Sequence, residues 1–134
     1  MRKKMSSGTV LIGLAGAVVV LLVGWTVYRA SVPSPYEAFA QCLTDKGAKM
    51  WGAWWCPHCR EQKELFQGAF DKVAYIECSA PGQKTPLPVC TKAGIKGYPT
   101  WEFTDGSRLS STQTLETLAQ KTGCELPTPA NSGF

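Results

Sequence analysis

Residues 51–60 read WGAWWCPHCR. Two cysteines, Cys56 and Cys59, stand two residues apart with Pro57 and His58 between them. The stretch before them, 48–55, is apolar and aromatic after Lys49 and too short for an independent helix, so it reads as a buried strand. Proline is tolerated in the first turn of a helix, where its missing N–H had no partner to lose. From His58 the pattern is helical, ending near 68–70. The cysteine pair therefore sits where a strand runs into the N-terminus of a helix.

That placement matters chemically. A cysteine is a nucleophile only as thiolate, and a helix N-terminus can lower a thiol pKa from about 8.5 to roughly 3.5–7.5. Unpaired backbone N–H groups and the helix dipole hold the negative charge. A protonated His58 would add to this. Cys59 lies one turn further on, on the same face. The pair can close a small ring, and stabilising the thiolate makes the resulting disulfide a stronger oxidant.

Working outward, residues 33–35 read PSP, and Ser34, Pro35 and Glu37 fit a capping box opening a helix. Phe39 and Leu43 mark its inner face, and Gly47 is a natural stop. Downstream of the cysteine helix, 73–78 (VAYIEC) reads as a second strand, and 79–87 as a Pro/Gly-rich loop. Pro88 opens a short helix that Gly94 ends. A third strand spans 100–104, Asp105-Gly106 reads as a two-residue hairpin turn, and 107–110 returns. A last helix starts near 110–112, with Leu115, Leu118, Ala119 and Thr122 inward and Gly123 as cap. Helices alternating with strands, closed by a hairpin, give a small α/β sandwich.

The N-terminal segment is different. Residues 9–28 pass without a charge, about what a helix needs to cross a ~30 Å hydrocarbon core. Trp25 and Tyr28 lie at its far end, as interfacial aromatics do, and Arg2, Lys3 and Lys4 at its near end. The positive-inside rule predicts a cytoplasmic N-terminus and an extracytoplasmic remainder, in a periplasm or equivalent lumen. A cleaved signal peptide is the competing reading, but its apolar region would be shorter, about 7–15 residues, and 28–30 (YRA) is a poor cleavage site. The predicted organisation is thus a basic cytoplasmic segment (1–8), a transmembrane signal-anchor helix (9–29), a linker (30–35), an α/β domain (36–124) and a disordered tail (125–134).

Charge and cysteine content narrow the function. The formal net charge of +4 resides in the first 29 residues; the rest has equal numbers of each sign. This argues against nucleic-acid binding, which needs a basic patch on the folded part. Six cysteines outside the membrane can oxidise and stay oxidised, but they permit 15 full pairings, among which sequence does not choose. Cys78 and Cys90 flank the 79–87 loop and suit a structural disulfide. Cys42 and Cys124 remain; pairing would tie the first helix of the domain to the end of the last, although a topology with those helices on opposite faces would forbid it. A zinc site wants a second close pair of ligands, and His58 is the single histidine, so no metal is expected.

Trp-Cys-Pro-His-Cys between a strand and a helix, followed at a distance by Gly-Tyr-Pro-Thr entering a strand, resembles the thioredoxin superfamily. The Cys-Pro-His-Cys version resembles that of DsbA. More narrowly, 48–122 is similar to the thioredoxin-like domain associated with bacterial vitamin K epoxide reductase homologues, through GAKMWGAWWCPHCREQKELF, YIEC and GIKGYPTWEF. The resemblance implies a thioredoxin-like fold, a central mixed sheet flanked by helices, behind one transmembrane helix. It implies a thiol–disulfide oxidoreductase, an oxidase more than a reductase or isomerase, with a non-enzymatic binding module as a further alternative. The candidate catalytic residues are Cys56 (attacking), Cys59 (resolving), Pro57, His58 and Pro99 (a cis-proline beside the site). Tyr98 would dock substrate backbone, and Trp54 and Trp55 would form an apolar rim or core. No bound cofactor is implied, since the cysteines carry the electrons. The implied partners are substrate proteins with thiols and a quinone-linked membrane partner, such as a vitamin K epoxide reductase homologue. One position departs from many relatives: Met50 stands six residues before Cys56, where they carry a buried acid. Proton transfer at Cys59 must then use water, His58 or another group.

Overall fold

The computed structural model describes residues 7–31 and 33–128. The chain divides into two units, 1–33 and 34–134. Arg2, Lys3 and Lys4, Val32 of the linker and the tail from 129 lie outside the described residues.

Among the described residues, the first unit has one helix, α1 (Ser7–Ser31). Twenty-five residues at 1.5 Å each make it longer than the ~30 Å apolar thickness of a bilayer. Its 11–28 stretch has a mean hydropathy of 2.2 and is exposed throughout. It is apolar on every side, with no polar stripe for water, which suits a lipid environment.

The second unit is an α/β thioredoxin-like fold. Its elements run α2 (Glu37–Asp45), β1 (Lys49–Gly52), α3 (Pro57–Glu64), a 3₁₀ turn (Ala69–Lys72), β2 (Ala74–Glu77), α4 (Pro88–Lys92), β3 (Thr100–Glu102), β4 (Arg108–Ser110) and α5 (Leu115–Thr122). Among the described residues, four strands form one mixed sheet in the order β2-β1-β3-β4. β1 and β2 are parallel, Met50 opposite Tyr75 and Gly52 opposite Glu77. A parallel pair needs a crossover, and α3 supplies it. β1–β3 and β3–β4 are antiparallel, with Trp101 opposite both Met50 and Leu109. Glu102 lies between Lys49 and Arg108 across the strands and pairs with both, which fixes this register with opposite charges.

Successive strand residues face opposite sides of a sheet. Met50 accordingly joins the larger core with Phe39, Leu43, Phe66, Trp101 and Leu118, while Trp51 joins a smaller one with Cys78, Cys90 and Ile95. Gln62 is fully buried in α3, yet its amide is satisfied. Its Oε1 accepts from Trp101 Nε1 at 3.2 Å and from the Gln113 N–H at 2.6 Å, and its Nε2 donates to the Gln113 carbonyl at 3.0 Å.

Several boundaries differ from the sequence expectation. The first domain helix starts at Glu37, not at Ser34. The Ser34 hydroxyl accepts from the Tyr36 N–H and donates to the Phe66 carbonyl at 2.9 Å, so it pins the entry turn to the far end of α3 rather than capping α2. α3 stops at Glu64 because Gln67 and Gly68 take left-handed conformations that turn Phe66 into the core. β1 ends at Gly52, and 53–56 form a turn closed by Cys56 N–H donating to the Ala53 carbonyl at 3.0 Å. The hairpin is not a two-residue turn. Gly106 N–H donates to the Phe103 carbonyl and Phe103 N–H to Ser107, with only Gly106 left-handed (φ 77°). This is a type I turn followed by a glycine bulge. α5 begins at Leu115, capped by Thr114, whose hydroxyl accepts from the Thr117 N–H; the N–H of Gln113 is already committed to Gln62. Residues 125–128 have no regular structure, but Leu126 packs against the larger core.

Two disulfides close this unit. Cys78–Cys90 spans 12 residues, and Cys42–Cys124 spans 82 with a Cα–Cα separation of 5.9 Å. The end of α5 thus reaches α2, and the two helices are not on opposite faces. By loop-closure entropy, replacing Cys42 and Cys124 together with serine is expected to cost roughly 4–5 kcal/mol, against about 3 kcal/mol for Cys78 and Cys90. Urea unfolding of the two double variants checks the order.

Candidate functional site

Cys56 is the N-cap of α3, with extended backbone (φ −80°, ψ 119°) and Pro57 as first helical residue. Cys56 and Cys59 are both unbonded thiols, and both are buried. The Cys56 Sγ donates to the Tyr98 carbonyl at 3.5 Å. The Tyr98–Pro99 peptide bond is cis, and Pro99 is buried where the chain enters β3. Residues 42 positions apart in sequence thus meet at one sulfur.

Trp55 stands beside this contact. Its ring meets that of Tyr98 edge-on at 6.0 Å, and its Nε1 donates to the Ser79 hydroxyl at 2.9 Å. Trp54 is half exposed, with Nε1 donating to the Ala80 carbonyl and its backbone N–H to Glu77 Oε1. Trp54 is therefore at the surface of the domain, and Trp55 forms a wall between surface and core. His58 is exposed and turned along its own helix, its Nδ1 2.9 Å from Glu61 Oε2. Met50, at the position of the missing acid, is fully buried.

Cys59 is 2% exposed. Burial pushes its thiol up from an ordinary 9.0 to about 12; a hydrogen bond and charge interaction with Cys56 add to the rise, while a backbone hydrogen bond with Ala53 and the charge of Lys63 oppose it. The thiol sits over Gly52: a Cβ there would lie 3.1 Å from Cys59 Sγ, 3.0 Å from the Tyr75 hydroxyl and 2.7 Å from Tyr75 Cε2. Only a residue without a side chain lets Cys59 and Tyr75 approach β1 together. Tyr75 in turn donates to Glu77 Oε2 at 2.9 Å, and Glu77 Oε1 accepts from the Trp54 and Ser79 N–H groups. Sequence reading missed Gly52, Tyr75 and Glu77. The available signal was a carboxylate in the otherwise apolar strand sequence VAYIEC, in a protein lacking an acid at Met50.

No protein-family model matches the chain. The chain is similar to the Thiol-disulfide oxidoreductase LTO1 of Arabidopsis thaliana, at 44% identity over 102 residues. The match covers 72% of this chain but 27% of the relative, so the chain spans about a quarter of the length of the curated relative it matches. This similarity, with a free cysteine pair at a helix N-terminus in a thioredoxin-like fold, supports a redox role.

The high affinity of Cys59 for its proton has a consequence for stability. The unfolded thiol ionises near 9 while the folded one holds its proton to about 12, so the unfolded state is favoured as pH rises through that window. Burial raises Tyr75 too, with the same sign above pH 10. The reduced protein is expected to lose stability from pH 9 upward, and Cys59→Ser to flatten part of that slope. Unfolding curves in excess reductant between pH 7 and 10.5 measure the difference.

Proposed function

We propose that the chain is a membrane-anchored, extracytoplasmic thiol–disulfide oxidoreductase that passes a Cys56–Cys59 disulfide to substrate protein thiols. The observation carrying this is the contact of Cys56 Sγ with the Tyr98 carbonyl, at the mouth of α3 and beside Pro99. A substrate cysteine bonded to Cys56 would there run past the 97–99 segment, where Gly97 is exposed and Tyr98 half-buried. Trp55 and Tyr98 form the neighbouring wall, with Pro57 starting the helix that presents the pair. The similarity to the plant thiol-disulfide oxidoreductase supports the same chemistry.

In the reaction, the two cysteines accept two electrons from a substrate dithiol, which loses two protons and closes its own disulfide. A membrane partner must then remove two electrons and two protons from the reduced pair. A vitamin K epoxide reductase homologue or other quinone-linked protein fits that requirement, because α1 would hold the domain at the bilayer and raise the effective concentration. No bound cofactor is invoked.

The reverse direction, a reductase or isomerase fed by a membrane electron donor, draws support from one feature. Glu61 pairs with His58, and its carboxylate offsets any positive charge the imidazole would lend to a Cys56 thiolate. The reduction potential separates the two readings. The full chain in detergent, equilibrated against glutathione, is expected near the ~−120 mV of DsbA; a value near the ~−270 mV of thioredoxin would assign the reductase. Cys56→Ser is expected to abolish exchange with thiol substrates, and full activity in that variant would exclude both directions.

A further inference from the structure

Cys59 must lose its proton each time it attacks Cys56 to release a bound partner, and regain one each time it leaves. It is buried in the same core cluster as Met50, which has no group to exchange a proton. His58 is exposed and directed at Glu61. The charged and titratable groups that face Cys59 are Cys56 and Lys63 from α3, Tyr75 with Glu77 behind it from β2, and Tyr98 before β3. Cys56 is the reacting partner. Lys63, as a cation, has no lone pair for the proton; its ammonium lies 3.8 Å from the centre of the Tyr75 ring. The Tyr98 ring packs edge-on against Trp55, and its backbone carbonyl is engaged by Cys56.

Tyr75 remains. Its hydroxyl and Cys59 Sγ both border the space above Gly52, and the hydroxyl donates to Glu77 Oε2. The opposite carboxylate oxygen is fixed by two backbone N–H groups, from Trp54 in the turn leading to Cys56 and from Ser79. The acid is therefore anchored to the same turn that carries the reactive cysteine.

We propose that Tyr75 and Glu77 form the proton path of Cys59, taking the place of the acid that Met50 does not supply. When Cys59 resolves a mixed disulfide, its sulfur bonds to Cys56 Sγ, and the bond from Cys56 to the partner sulfur breaks. The partner leaves as thiolate with the electron pair. The Cys59 proton moves to the Tyr75 oxygen, and the Tyr75 proton moves to Glu77. In the opposite step Cys59 leaves as thiolate and the same protons return. Tyr75 and Glu77 act through Cys59 and are positioning residues for its proton. The inference rests on thiol–disulfide exchange at Cys56 and Cys59, in either direction.

The test uses the full chain in detergent, with its two structural disulfides intact and the Cys56–Cys59 pair reduced. Ellman's reagent releases one coloured thiolate when Cys56 attacks it and a second when Cys59 resolves the mixed disulfide. Tyr75→Phe removes only the hydroxyl and keeps the ring against Phe70; Glu77→Gln removes the proton acceptor and keeps an oxygen for the backbone donors. Both are expected to slow the second release at pH 7 by about 10²-fold, the lower end of general acid–base effects. The first release should be unchanged, which also reports an intact fold, and the deficit should shrink as pH approaches 10. Second-phase rates equal to wild type from pH 6 to 9 in both variants would overturn the proton path and leave the exchange reading intact. A wild-type protein that gives no second release would overturn both.

Discussion

The turn at 53–56 is the constraint on which the rest of the domain depends. A strand and a helix are joined there in four residues, and the junction leaves two unbonded cysteines at the edge of a packed core. The Cys56 N–H donates back to Ala53, and Glu77 holds the Trp54 N–H from the neighbouring strand. Because β2 runs parallel to β1, with Gly52 opposite Glu77, the carboxylate arrives level with the end of β1. The helix behind the turn is anchored at its middle by Gln62, whose buried amide bonds Trp101 and Gln113. A buried amide left without these partners would be costly, so the network specifies one placement of α3. That placement puts Cys56 against the 97–99 segment.

The two cysteines lie in different surroundings. Cys56 occupies the cap position, where the helix presents unpaired N–H groups, and its sulfur touches a single carbonyl. Cys59 is one turn deeper, enclosed by Gly52, Tyr75 and the core, and burial holds its proton firmly. In the proposed exchange the first sulfur meets the partner and the second waits until that partner is bound. This asymmetry comes from depth along α3, because residues three apart on a helix share a face but not a level.

The disulfides act at the periphery of the same arrangement. Cys78–Cys90 ties the end of β2 to α4 and lies in the small cluster with Trp51 and Ile95. Its position keeps the loop after Glu77 close to Trp54 and Trp55, whose indole N–H groups donate to Ala80 and Ser79. Cys42–Cys124 joins the first and last helices of the unit, and Leu126 beyond it continues the packing onto the larger core. A small domain gains much from such links, since its core alone is limited.

Much of this was written in the linear sequence. The apolar run of 9–28, the strand–cysteine–helix order at 51–60, the proline that opens α4 and the glycines that follow α4 and α5 are local, and local propensity and hydrophobic period express them directly. The element ends were less legible. Ser34 looks like a cap but bonds Phe66, and the helix from Pro57 stops early because Phe66 is drawn into the core. Both outcomes depend on contacts with residues far along the chain. The site divided in the same way. Cys56 and Cys59 were named by their spacing, whereas Gly52, Tyr75 and Glu77 become a group only when β2 is laid parallel to β1 in a particular register. Likewise the sequence left the pairing of Cys42 and Cys124 open, because 82 residues separate them and only the packing of α5 against α2 brings them together. Sequence alone determined which segments are helix, strand or apolar span, since those follow from neighbours a few residues apart. Tertiary structure alone decided which distant side chains surround the buried sulfur, since that depends on strand register and helix depth.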